Sequence, residues 1–107
     1  MSACVKRQGD LLKVLGSAKP PAVKALINSA SPELMRTLCE CCQNVLKGNV
    51  NITSAQKRRL RRHKTSLRTL TRKKLSLKRR KQILQKGGFI GALLSPILSV
   101  LKGVLGV

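Results

Sequence analysis

Aromatic side chains are nearly missing from this sequence: Phe89 is the only one, with no Trp or Tyr. That excludes the aromatic platforms on which RRM and OB-type readers stack single-stranded bases. It also leaves Leu, Ile, Val and Ala to build any core, which predicts a thin core made by helices. Acids are almost as scarce. Asp10, Glu33 and Glu40 stand against 23 Lys and Arg, for a net charge of +20. Such a chain repels itself unless a polyanion neutralises it. An early apolar run is also lacking, because Lys6, Arg7 and Asp10 interrupt it, so no signal peptide is expected. With three acids, one His and no Gly-rich phosphate loop, no catalytic set is visible, and a non-enzymatic protein without cofactor is expected. Cysteines number four, and Cys39, Cys41 and Cys42 crowd into four positions. That is no secreted disulfide framework, and a reducing compartment is the easier reading. Zinc sites combine two ligand pairs, whereas Cys39 and Cys42 form only one; no metal is expected, and these thiols read as small apolar core groups. Cys4 reads as a free thiol.

What is present is unevenly distributed over 107 residues, enough for one small domain. Residues 1–52 hold seven basic residues and all three acids, residues 54–86 hold 15 basic residues and no acid, and residues 87–107 hold only Lys102. Three parts follow: an N-terminal helical region (1–52), a basic helical hairpin (53–86) and an apolar tail (87–107). The fold class expected is all-α, a small helical bundle of amphipathic N-terminal helices with the hairpin and an apolar C-terminal helix.

Helix signals mark the parts. A short helix over 8–16 carries Leu11, Leu12, Val14 and Leu15. Pro20-Pro21 breaks the chain and can start the next helix, with Val23, Leu26, Ile27 and Ala30 at helical spacing. Ser31-Pro32-Glu33 is a strong helix start. Leu34, Leu38, Cys41, Cys42, Val45 and Leu46 then share a face, and Gly48 supplies a left-handed cap. Leu38 is expected to pack against Leu26 or Ile27. Thr53 and Gln56 fit a capping box that opens a basic helix running to about residue 72, with a thin stripe of Leu60, Leu67 and Leu70. Ser76 can cap a second basic helix over 77–86, containing Leu77, Ile83 and Leu84. The two helices are expected to fold back around Lys73–Leu75, and Gly87-Gly88 ends the second.

The basic segment carries the binding chemistry. Lys57, Arg58, Arg59, Arg61, Arg62, Lys64, Arg68 and Arg72 belong to the first helix. Lys73, Lys74, Lys78, Arg79, Arg80, Lys81 and Lys86 follow. Charged runs are usually solvated faces of mixed sign, but here no acid is available for pairing. Each phosphate neutralised by such a cation releases condensed counterions, which drives sequence-independent binding. No zinc-finger spacing, basic zipper or helix-turn-helix signature accompanies the charge. Backbone positioning without a base code is therefore expected. Lys57–Lys64 also reads as a nuclear-import cluster. His63, flanked by Arg61, Arg62 and Lys64, is expected to resist protonation and to face a groove or a phosphate.

The tail reads in more than one way. On a helix, Phe89, Ile90, Leu93, Leu94, Ile97, Leu98 and Leu101 form a broad apolar face, with Gly91, Ser95, Ser99 and Gly103 as a small stripe opposite. That stripe permits close helix approach and self-association. Pro96 is expected to kink the helix. The uncharged run from Gly87 to Leu101 falls short of the roughly 20 residues of an ordinary membrane span. A helix lying in an anionic membrane interface is one reading. A core helix covering residues 23–46, or a docking peptide, is the other.

Three short stretches carry a resemblance. They are Gln56-Lys57-Arg58-Arg59-Leu60-Arg61-Arg62-His63-Lys64, Ser76-Leu77-Lys78-Arg79-Arg80-Lys81 and Gln85-Lys86-Gly87-Gly88-Phe89. With Leu38-Cys39-Glu40-Cys41 and Asn44-Val45-Leu46-Lys47-Gly48-Asn49 upstream, they resemble a small basic protein of Polinton/Maverick elements and adintoviruses. That family is grouped with adenovirus core protein X and has been compared with the membrane-active protein VI. The resemblance implies a minor virion protein that condenses packaged double-stranded DNA. It would reside in the virion core, and in the host nucleus during assembly, with the capsid interior as a further partner. A membrane-active entry protein and an RNA-binding protein are the competing functions.

Overall fold

A computed structural model describes the backbone of residues 6–104 and the side chains of residues 6–99. Cys4 and the side chains of Leu101 and Lys102 lie outside the described residues. From Gly9 to Val104 the described chain forms seven helices and no strand. They are α1 (Gly9–Ser17), α2 (Pro20–Asn28), α3 (Pro32–Leu46), α4 (Ser54–Arg61), α5 (Lys64–Leu70), α6 (Leu77–Leu84) and α7 (Phe89–Val104). The fold is all-α.

Local chemistry sets most helix ends. Ser31 accepts a hydrogen bond from the Leu34 amide at 3.1 Å, and Pro32 occupies the first turn of α3. Gly48 ends α3 with φ +75°, a left-handed conformation that costs other L-residues about 1–2 kcal/mol. Its amide donates to the Val45 carbonyl while the Asn49 amide donates to the Asn44 carbonyl, completing a Schellman closure. The Thr53–Gln56 capping box is formed in both directions, at 3.1 and 3.0 Å. Ser76 caps α6 by accepting from the Arg79 amide.

One core is shared by all three compositional parts. Leu12, Ile27 and Leu38 meet Leu70 and Leu84 from the basic segment, and Phe89, Leu93, Leu94 and Ile97 from the tail. Each fully buried leucine contributes about 2 kcal/mol of transfer free energy. Helix α7 packs most extensively on α1 and further against α4, α3 and α6. The approach to α1 is tight: a Cβ on Gly16 would stand 2.7 Å from Leu98 Cδ1. The apolar face from Phe89 to Ile97 is thus taken up within the chain's own core. Among the described residues no helix is long and apolar enough to cross a membrane.

Several expectations need correction. The basic helix does not run unbroken to residue 72; it breaks at Arg62-His63, where His63 has φ −113° and ψ 18°. The break serves two packing directions, α4 lying against α7 and α5 against α3. Only α5 therefore packs beside α6, so the hairpin is shorter than expected. Leu38 is fully buried in the same core as Ile27, and its helix packs chiefly on α5 and α7. Leu46 is 41% exposed and Leu77 57% exposed, so neither belongs to the core.

Candidate nucleic-acid interface

The cations of the basic segment stand on helices anchored by a few leucines and one isoleucine. Leu60, Leu67 and Leu70 are buried beneath α4 and α5, and Ile83 and Leu84 beneath α6. Ser66 is buried with them, and the cations stand on the outer positions of these short helices and in the connections that follow them. Thirteen of the 15 basic residues are exposed: Lys57, Arg58, Arg59, Arg61, Arg62, Lys64, Arg68, Arg72, Lys73, Lys74, Lys78, Arg79 and Lys86. Among the described residues none of the 15 makes an ion pair; the pair present joins Arg7 to Glu33 at 3.0 Å, outside the segment. The exposed cations therefore have no acid among them in sequence and no ion-pair partner among the described residues.

Arg80 and Lys81 are half-buried and act differently from the rest. The Arg80 guanidinium donates to the carbonyls of Leu70 at 2.9 Å, Arg72 at 2.7 Å and Leu75 at 3.2 Å, and to Cys39 Sγ at 3.0 Å. It thereby satisfies the Leu70 carbonyl at the end of α5 and ties the α5–α6 connection to α3. Lys81 Nζ donates to the Asn28 carbonyl at 2.8 Å and closes the end of α2. Lys86 Nζ lies 3.5 Å from Ser66 Oγ. Arg80 and Lys81 are structural donors, which corrects their placement with the free phosphate-facing set.

His63 sits at the hinge between α4 and α5. Its ring meets Phe89 edge to face, with centroids 5.5 Å apart. Burial first, then the charges of Arg59, Lys86 and Arg62, hold its pKa below the usual 6.5. The direction matches the sequence reading, but Arg59 and Lys86 replace Arg61 and Lys64 as responsible neighbours. Phe89, the one aromatic, is fully buried and offers no face to a base.

The tail's small stripe faces the chain itself. Gln56 Nε2 donates to Ser95 Oγ at 3.1 Å, and a Cβ on Gly91 would lie 3.1 Å from Arg59 Nη2. Gly91, Ser95 and Ser99 line a cleft of about 580 Å³ with Lys13, Gly16 and Arg59. Of the thiols, Cys39 touches the basic segment through Arg80. Cys41 and Cys42 are buried and Cys39 is half-buried. Burial, then the nearby Cys39 and Cys41, push the Cys42 thiol well above its usual value. Among the described residues no group of three His, Cys, Asp or Glu is placed to hold a metal ion.

Two polar links escaped the sequence reading. Gln85 Nε2 donates to Asn28 Oδ1 at 2.6 Å, beside Lys81 on the same helix face, and Gln56 reaches Ser95 across 39 residues. The four-residue spacing of Lys81 and Gln85 hinted at a shared task; nothing local named Asn28 as its object. No family model, no curated protein and no solved structure matches this chain.

Proposed function

We propose that this chain is a non-enzymatic protein that binds double-stranded DNA along its phosphate backbone, without a sequence code, and condenses it as a minor virion core component. The observation that carries this reading is the set of thirteen exposed cations on residues 57–86, a stretch without a single acid. Phosphate is the ligand such a surface suits, through counterion release. Burial of Phe89 favours a duplex over stacked single strands. The resemblance to the small basic proteins of Polinton/Maverick elements and adintoviruses supports DNA within a particle, and a nuclear stage during assembly.

A membrane role would require α7 to leave the core, because Phe89, Leu93, Leu94 and Ile97 are fully buried there. DNA binding needs no such rearrangement and is the better supported reading.

The test is affinity for several unrelated duplexes across a salt series. With about eight phosphates contacted, log K falls against log[salt] with a slope near −7. Light scattering under the same conditions should report condensed particles, and duplex RNA should compete no better than duplex DNA. A shallow slope, or strong preference for one sequence, overturns the reading.

A further inference from the structure

We propose that the groove between the C-terminal end of α3 and the α4–α5 pair is a docking site for an acidic amphipathic helix of a partner protein. The groove encloses about 310 Å³. One edge carries Lys57, Arg61, Lys64 and Arg68, spaced four, three and four residues apart. Lys57 and Arg61 stand on α4 and Lys64 and Arg68 on α5, on either side of the Arg62-His63 break. The rest of the lining is apolar: Leu46 exposed, Ile52 half-buried, and Val45, Leu60 and Leu67 buried.

Charge and apolar surface here point to the same occupant. All four cations are exposed, and among the described residues none of their side chains makes a hydrogen bond or an ion pair, unlike Arg80, Lys81 and Lys86. Leu46 is 41% exposed although it stands on the amphipathic helix that builds much of the core. A duplex would satisfy the cations but bring no hydrocarbon to Leu46 and Ile52. A bilayer is flat, whereas Leu60 and Leu67 lie at 6% and 3% exposure behind the charges. A second copy of this chain is excluded by its net charge of +20 and its three acids. An amphipathic helix with carboxylates along one face and an adjacent apolar stripe meets both the charged and the apolar lining. The groove stands independently of DNA binding, yet its four cations belong to the same exposed set. Partner helix and duplex would therefore compete for this edge.

The test uses the full chain and a fluorescent synthetic helix of about four turns. Its glutamates lie along one face beside a leucine stripe, and a scrambled peptide of equal composition is the control. At physiological salt the amphipathic peptide should bind at least about tenfold more tightly than the scramble. Leu46→Ser should weaken it about five- to tenfold while leaving the scramble and duplex DNA unaffected. Ile52→Ser is the second variant should Leu46→Ser fail to fold by circular dichroism. Arg61→Ala with Lys64→Ala should weaken the peptide as well. Equal affinity for the two peptides, or indifference to both apolar substitutions, overturns the proposal. So does Leu46-dependent binding of phosphatidylserine vesicles that blocks the peptide, which would make the groove a lipid site.

Discussion

The rings of His63 and Phe89 meet edge to face, with centroids 5.5 Å apart and planes at 81°. This contact ties the hinge of the basic segment to the start of the tail, and it makes a titrating group part of the packing. Burial and the cations Arg59, Lys86 and Arg62 favour the neutral imidazole in the fold. The folded pKa is therefore below the unfolded value near 6.5. The unfolded chain binds the proton more readily, so the stabilisation is present above pH about 6.5 and is lost as pH falls through the folded value. Thermal melts should show Tm falling below that pH, with His63→Gln flattening the dependence.

The same residue reports on the proposed interface, because it is the only histidine. Phosphates that neutralise Arg59, Arg62 and Lys86 would remove part of the repulsion and bring their own negative charge. The imidazole NMR titration midpoint should move upward on saturation with duplex DNA. An unchanged midpoint would place the phosphates elsewhere.

Arg80 and Arg79 are neighbours with different work. Arg80→Lys keeps the charge but loses the planar fork that reaches three carbonyls, and should lower stability by about 2 kcal/mol. Its DNA salt slope should stay near that of the parent wherever the variant is folded. Arg79→Ala, on an exposed side chain, should leave Tm within about a degree or two and reduce the salt slope by about one. Matching effects of the two substitutions would dissolve this division between structural and phosphate-facing cations.

The shared core makes distant apolar positions equivalent. Leu38 and Leu94 are both fully buried, one in α3 and one in α7. Leu38→Asp and Leu94→Lys each bury an unpaired charge and should cost more than about 3 kcal/mol, unfolding N-terminal helices and tail together. Arg36→Ala, at an exposed position, should be neutral within about 0.5 kcal/mol. A cooperative helical signal surviving Leu94→Lys would show that α7 is dispensable to the fold.

Self-repulsion gives a prediction about solvent. A net charge of +20 works against compactness, and added salt screens it. Raising NaCl from a few millimolar to physiological strength should raise Tm, and a polyanion that binds only the folded chain should raise it further. A Tm that falls with salt would mean that attractive pairs such as the exposed Arg7–Glu33 dominate.

Interactions that span only a few residues were legible in the chain's order of amino acids. Ser31, Thr53 with Gln56, and Ser76 cap helices because their side chains reach amides three residues on. Gly48 ends α3 because its φ of +75° is open to glycine. The all-α class, the concentration of cations in 54–86 and the burial of Leu60, Leu67 and Leu70 follow from spacing alone. Tertiary structure decided what depends on which element arrives alongside. The tail's apolar face was equally suited to lipid and to protein, since both remove it from water, and only the packing of α7 on α1 placed it in the core. The basic helix had no local reason to stop at His63; it breaks because α4 and α5 pack against different neighbours. Arg80 is chemically identical to the arginines around it, and only the carbonyls of Leu70, Arg72 and Leu75 converging on its guanidinium separate it from the exposed set.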